Sequence, residues 1–152
     1  MLTYFFSSKE EYDKADKILE KNTVISDTDR AKMYLYNKKK IHIIKSFFYE
    51  SPKKTVDDFD FTVCCAAISK SDVIYHDTFF VDLARRKLVI NNLRLPINTL
   101  KRIQKYQRKG FYICDGGLLQ IVKAVQTVDL EDKEINNIEY YSDGTVRFLP
   151  ID

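Results

Sequence analysis

The stretch FDFTVCCAAI, residues 59–68, is the most apolar run in the chain and decides the predicted fold. Its single charged side chain is Asp60, which stands between two phenylalanines. A run of this length without turn residues is typical of a strand that is buried on both faces. We therefore predict a central strand here, with Asp60 as either a metal-facing carboxylate or a hydrogen-bonded structural acid.

Strand and helix signals alternate on both sides of this run. The pattern predicts strands at 2–6, 33–36 and 41–44, and a C-terminal hairpin at 138–141 and 145–149. A helix after residue 8 is indicated by Ser7 and Ser8, each followed three residues later by glutamate, which is the capping-box spacing. The sequence predicts an α+β fold in one compact unit. A mixed sheet would occupy residues 1–92, and a helical segment with the hairpin would occupy residues 93–152.

Three further helices are predicted to bury one apolar side each. Residues 78–86 would bury Phe79, Phe80, Leu83 and Ala84; residues 96–109 would bury Ile97, Leu100 and Ile103; and a helix capped by Asp115 would bury Leu118, Leu119, Ile121, Val122 and Val125. Gly110 follows the second of these helices, where a left-handed cap is expected. The Asp115-Gly116-Gly117 start is interpreted as a cap, with an anion-binding helix start as the alternative.

Composition favours a folded domain in a reducing compartment. The chain has 152 residues, of which 45% are hydrophobic and 31% charged, and its net charge is only +3. Any basic surface must therefore be local. Cys64 and Cys65 are adjacent and point to opposite faces of a strand, so the three cysteines are predicted to be reduced thiols. No apolar run reaches the ~18 residues of a membrane span. We expect a cytoplasmic protein, in the host cytoplasm if it is viral, or a virion component.

The run at residues 59–66 resembles an element of known enzymes. It is similar to the Arg-Asp-Phe-Thr-Ile-Asn-Ala-Leu element of tRNA CCA-adding enzymes and bacterial poly(A) polymerases. It is closer to the Phe-Asp-Phe-Thr element of small nucleotidyltransferase-like proteins of phages and large viruses. Residues 95–111 resemble a second run of that viral group, and the similarity spans about residues 59–130. Leu95, Asn98 and Gln104 replace the Asp and two Arg residues of the comparable helix in CCA-adding enzymes.

The resemblance implies a polymerase-beta-like fold without its metal-binding acids. In that superfamily a Gly-Ser turn and two carboxylates on a strand bind Mg²⁺ and the nucleoside triphosphate. In the viral group these acids precede a helix entry that is matched here by FFSSKEEY, residues 5–12. Only Met1–Tyr4 precede it, so the resemblance implies an N-terminally truncated member. We expect no activity in isolation and no cofactor, with Asp60 as the candidate catalytic and Mg²⁺-binding residue if the protein is active.

A set of basic residues is the predicted binding site for nucleic acid or phosphate. Its members lie before and along the predicted helix at 96–109: Arg85, Arg86, Lys101, Arg102, Lys105, Arg108 and Lys109, with Lys87 beside them. Such a face would meet a phosphate backbone, and the alternative is a solvated helix face. Tyr106 and Phe111 would either stack on a base or pack the end of the helix. The spacing of the two histidines from the cysteines is not that of a zinc site.

Three functions agree with these features. The first is a catalytically degenerate nucleotidyltransferase-like protein of a phage or virus, a pseudoenzyme that acts by binding. The second is an active nucleotidyltransferase whose missing acids come from another chain. The third is a virion structural or anti-defence protein that uses the fold as a scaffold. The candidate partners are a nucleic acid, a nucleotide, a host protein or a second copy of the chain, and no membrane is expected.

Overall fold

The computed structural model describes residues 2–129, 138–140 and 146–148. The chain divides into two compact units, Met1–Thr55 and Val56–Asp152. The division falls within the short helix α2 (Pro52–Asp57), whereas the predicted boundary after residue 92 lies inside the second unit. None of the helices in the described ranges combines the length and apolarity needed to cross a membrane.

A mixed sheet of four strands forms the first unit, in the order β1-β4-β3-β2. Its elements along the chain are β1 (Leu2–Phe6), helix α1 (Lys9–Leu19), β2 (Thr23–Asp27), β3 (Ala31–Tyr36) and β4 (Lys39–Phe48). β1 pairs parallel with β4, and the other two pairs of strands are antiparallel. This mixed sheet confirms the predicted α+β class, and β2 is a strand that sequence analysis missed.

The capping box at the start of α1 forms as predicted. The Ser8 hydroxyl accepts a hydrogen bond from the Glu11 backbone N–H at 3.3 Å, and the Glu11 carboxylate accepts one from the Ser7 N–H at 3.1 Å. Asn37 and Lys38 both have positive φ, which gives the β3–β4 hairpin a two-residue turn. The core consists of Tyr12, Tyr34 and Ile43.

The second unit contains short strands and two longer helices. Its elements along the chain are a 3₁₀ turn (Thr62–Cys64), β5 (Ala66–Ile68), β6 (Val73–Tyr75), α3 (Phe79–Ala84), β7 (Lys87–Leu88), α4 (Pro96–Gln107), β8 (Tyr112–Ile113), α5 (Asp115–Gln126), β9 (Ile138–Tyr140) and β10 (Val146–Phe148). β5 pairs antiparallel with β6, β7 pairs parallel with β8, and β9 pairs antiparallel with β10. The last pair confirms the predicted hairpin; its turn, residues 141–145, lies outside the described residues.

The predicted central strand at 59–68 is wrong. Phe61 makes a single antiparallel bridge with Ile90, after which the chain turns through the 3₁₀ segment before β5 begins. Thr62 lies in that turn, and its hydroxyl donates to the buried carboxylate of Asp82 at 2.8 Å. The apolar run instead supplies Phe61 and Val63 to a core that also contains Leu88, Ile103 and Ile121.

The apolar sides of the helices also differ from the prediction. In α3 the buried residue is Asp82, which accepts hydrogen bonds from the hydroxyls of Thr62 and Thr78, while Phe80 is 60% exposed. In α4, Leu100 faces solvent while Ile97 and Ile103 are buried. Asp115 does not cap α5, because the N-cap residue is Cys114. In α5 the buried position is Ile121; Leu118, Leu119 and Val122 are exposed.

Candidate nucleic-acid interface

The predicted basic residues fall into two groups in the second unit, one half-buried and one exposed. Lys101 and Arg102 lie in the middle of α4, where both are half-buried. Lys105, Arg108 and Lys109 lie at its C-terminal end and are exposed, as are Arg85 and Arg86 at the end of α3. The two groups have different surroundings and therefore different roles.

Arg102 forms an ion pair with Asp60. Its Nη1 atom is 2.8 Å from Asp60 Oδ2, and the carboxylate side chain is only 7% exposed. The Asp60 carbonyl accepts a further hydrogen bond from the Asn91 N–H at 2.8 Å. Within the described residues no group of three His, Cys, Asp or Glu side chains is arranged to hold a metal ion. Asp60 is thus a hydrogen-bonded acid in this structure, and metal binding by Asp60 stays a prediction.

Burial changes the chemistry of the groups near this ion pair. Desolvation lowers the pKa of Lys101. It also raises the pKa of the Cys64 thiol, which lies 2.8 Å from the Tyr106 hydroxyl, and raises the pKa of Cys65 to about 12. Both thiols therefore stay protonated near neutral pH and are poor nucleophiles.

The parallel pairing of β7 with β8 brings two basic segments together. Lys87 is the partner of Tyr112, and Leu88 is the partner of Ile113. Leu88 is buried in the core, and side chains alternate along a strand, so Lys87 and Tyr112 share the opposite face. The Tyr112 N–H also donates to the Arg86 carbonyl at 2.9 Å. Residues 85–87 and 108–112 therefore meet although 20 residues separate them in sequence.

Two left-handed residues make this close approach. Gly110 has φ +82°, as predicted for the end of the helix, and Arg86 has φ +53°. The Arg86 guanidinium lies over Gly110, where its Nη1 atom would be 2.7 Å from any added Cβ. A larger residue at position 110 would be strained by the positive φ and would clash with the Arg86 guanidinium. Arg86 itself has a left-handed conformation that glycine would adopt at a lower steric cost.

The resulting surface is a concentration of positive charge, which we call the basic cluster: Arg85, Arg86, Lys87, Arg108 and Lys109. Among the described residues none of the five forms an ion pair with an acid. Lys109 instead places its ammonium 5.5 Å from the centre of the Tyr106 ring. Unneutralised like charges at one place repel each other, and a bound polyanion would relieve that repulsion.

A shallow cavity borders the cluster at Lys87. Its volume is about 200 Å³, and its walls include Val89, Gly116 and Gly117 at the start of α5. Small-molecule sites usually occupy about 300–1,000 Å³. The cavity is therefore smaller than a site that would enclose a whole nucleotide, and any nucleotide contact here would be at the surface.

Similar solved structures define the class of this fold as nucleotidyltransferase-like. The Thermotoga maritima CCA-adding enzyme complexed with tRNA has a TM-score of 0.54 at 19% identity, covering 82% of this chain and 32% of that chain. A tRNA nucleotidyltransferase complexed with a primer tRNA and an incoming ATP analogue has a TM-score of 0.54 at 16% identity, and the match covers 79% of this chain and 39% of that chain. A CCA-adding enzyme in an apo form has a TM-score of 0.51 at 21% identity, and the match covers 82% of this chain and 35% of that chain. Identities this low establish the fold alone.

The particular family follows from the sequence. A profile described as Gabija anti-defense 2 family protein matches residues 2–86, more than half of the chain, and the chain belongs to that family. A protein described as Gabija anti-defense 2 from Bacillus phage SPbetaL7 is 28% identical over 123 residues, which is 78% of this chain. The match covers 31% of the phage protein, so the chain spans about a third of its length. These findings confirm the predicted phage nucleotidyltransferase-like family.

The sequence predicts most members of the basic cluster. It does not predict the place of Tyr112 beside them, nor the convergence of residues 85–87 with residues 108–112. The available signal was the pair of dipeptides Lys87-Leu88 and Tyr112-Ile113, in each of which a polar or amphipathic residue precedes an apolar one. Strands of two residues are too short for such alternation to be recognised.

Proposed function

We propose that this chain is an anti-defence protein that acts in an infected bacterium by binding nucleic acid through the basic cluster. The observation that carries the proposal is the convergence of five cationic residues with no acidic partner among the described residues. Phosphate contacts by Lys and Arg supply most of the affinity of sequence-independent nucleic-acid binding. Membership of the Gabija anti-defense 2 family supports the biological role.

Binding, rather than nucleotidyl transfer, agrees better with the surroundings of Asp60. Its carboxylate is paired with Arg102, and a single carboxylate engaged in this way is a poor ligand for a phosphate-bound Mg²⁺ pair. We therefore propose no cofactor for this chain. Transfer with Mg²⁺ and acids from another chain remains the alternative, and so do a host protein or a second copy as the partner.

Charge reversal in the basic cluster tests this function. We expect Arg86→Glu with Lys87→Glu to weaken binding of a labelled oligonucleotide roughly tenfold or more at moderate salt, because two attractive phosphate interactions become repulsive. The slope of log affinity against log salt should also fall by about 0.7–0.9 for each phosphate that the variant no longer neutralises. Fluorescence anisotropy over a salt series measures both. In bacteria that carry Gabija, the same variant should lose protection of a sensitive phage, scored as plaque number.

The matched control is Lys14→Glu with Lys21→Glu, which reverses two exposed lysines of the first unit. This variant has the same net charge as the test variant and should keep the native affinity and plaque number. Equal losses in both variants would mean that overall charge matters and not the cluster. Native affinity in the cluster variant would refute the proposed interface.

Arg86→Gly separates binding from folding at the same position. Glycine adopts the left-handed conformation of residue 86 without the steric cost that arginine has, so the free energy of unfolding should stay within about 1 kcal/mol of the native value. The affinity for the oligonucleotide should nevertheless fall, since one charge is gone. Urea denaturation and anisotropy measure the two effects. Loss of stability without loss of affinity would mean that Arg86 acts by packing on Gly110 instead.

A further inference from the structure

We propose that the ligand of the basic cluster is a single-stranded nucleic acid and that Tyr112 is its base-stacking platform. This inference rests on the proposed function and deepens it. Neither the family nor the similar structures assign a role to Tyr112. The inference rests on the placement of the Tyr112 ring on β8.

The Tyr112 ring is available for a ligand. Its residue is 53% exposed, and among the described residues its side chain makes no ring contact or hydrogen bond. The two aromatic residues for which the sequence predicts either stacking or packing are differently placed. Tyr106 and Phe111 pack edge to face at 5.4 Å and lie against the core that contains Phe61. Tyr112 is therefore the aromatic residue of this segment that is left for recognition.

The fold itself places cations beside this ring. Lys87 is the direct partner of Tyr112 across the ladder, and neighbouring strands lie about 4.8 Å apart. Arg86 is held next to Tyr112 because its carbonyl accepts a hydrogen bond from the Tyr112 N–H and its side chain lies over Gly110. A phosphate on the cationic residues would place the attached base within reach of the ring.

This combination distinguishes a single strand from a duplex. Single-strand binding proteins combine a positively charged track for the backbone with aromatic side chains on which unpaired bases stack. A duplex offers the same phosphates, but its base faces are already stacked on one another. The cations would hold either ligand, whereas an exposed tyrosine beside them adds affinity only for unpaired bases.

Replacement of Tyr112 by tryptophan tests the proposal directly, since the chain contains no tryptophan. The new indole is the sole such fluorophore, and stacking on a base should quench it. We expect Tyr112→Trp fluorescence to fall when single-stranded oligothymidine is added and to change little with a duplex of equal charge. Tyr36→Trp is the matched control, because Tyr36 is also exposed and is the ladder partner of a lysine, Lys39, in the first unit.

Affinity measurements complete the test. Tyr112→Ala should lower the affinity for the single strand roughly tenfold, retain the affinity for the duplex and leave the salt slope unchanged. The stacking role would be overturned if the Tyr112→Trp variant bound the single strand fully without a loss of tryptophan fluorescence. It would also be overturned if the fluorescence fell in Tyr36→Trp instead. The basic cluster would then be a phosphate site alone. Failure of the native chain to bind either nucleic acid would overturn the proposed function as well, and a protein partner would then replace it.

Discussion

Replacement of Phe61 by alanine is expected to lower the free energy of unfolding of the second unit by about 3–5 kcal/mol. The Phe61 side chain is fully buried, packs edge to face on Tyr106 at 5.7 Å, and belongs to the core with Leu88, Ile103 and Ile121. Its removal costs the transfer free energy of the ring and leaves a cavity that the surrounding side chains only partly fill. Urea denaturation followed by circular dichroism, with hydrogen exchange to locate the loss, measures the effect.

Phe80→Ala is the matched control for this prediction. The substitution is chemically identical, but Phe80 is 60% exposed on α3, and we expect a cost below about 1 kcal/mol. A control variant as unstable as Phe61→Ala would contradict the exposure of α3. It would mean that the apolar side of this helix is covered, as the sequence pattern predicts.

The comparison of these two phenylalanines shows where sequence patterns are informative and where they are not. Periodicity ranks Phe61 and Phe80 alike as core residues. The structure buries Asp82 in place of Phe80, because the Asp82 carboxylate accepts hydrogen bonds from Thr62 and Thr78. The bond from Thr62 joins positions 20 residues apart, and no local pattern encodes such a partner. A buried polar group of this kind is stable only with its partners in place.

Two short-range signals form as predicted, whereas the cap predicted at Asp115 does not, because Cys114 is the N-cap residue of α5. The capping box of Ser8 and Glu11 and the left-handed Gly110 both depend on neighbours within a few residues. The predicted strand at 59–68 failed because its residues meet partners far along the chain, such as Ile90 and Asp82. Sequence therefore identified the fold class, the family and most of the basic residues. It could not place the cations relative to Tyr112.

Arg102→Ala is expected to lower the free energy of unfolding by about 2–4 kcal/mol, because it leaves the carboxylate of Asp60 buried without its cationic partner. The cost is below that of a fully buried pair since the Arg102 side chain is 42% exposed, which lets water reach part of the site. Adding Asp60→Asn to this variant should recover much of the loss, because the buried charge is then removed as well. Urea denaturation of the single and double variants measures both effects.

The matched control is Arg94→Ala, in which Asp58 loses its partner Arg94. Both side chains of that pair are more exposed to water than Asp60 is, so the cost should stay below about 1 kcal/mol. Mg²⁺ then separates the two interpretations of Asp60. If Asp60 is a structural acid, millimolar Mg²⁺ should leave the stability of Arg102→Ala unchanged. If Mg²⁺ restores that stability, and Asp60→Asn abolishes the restoration, then Asp60 is a metal ligand, and nucleotidyl transfer completed by another chain becomes the better account of the protein.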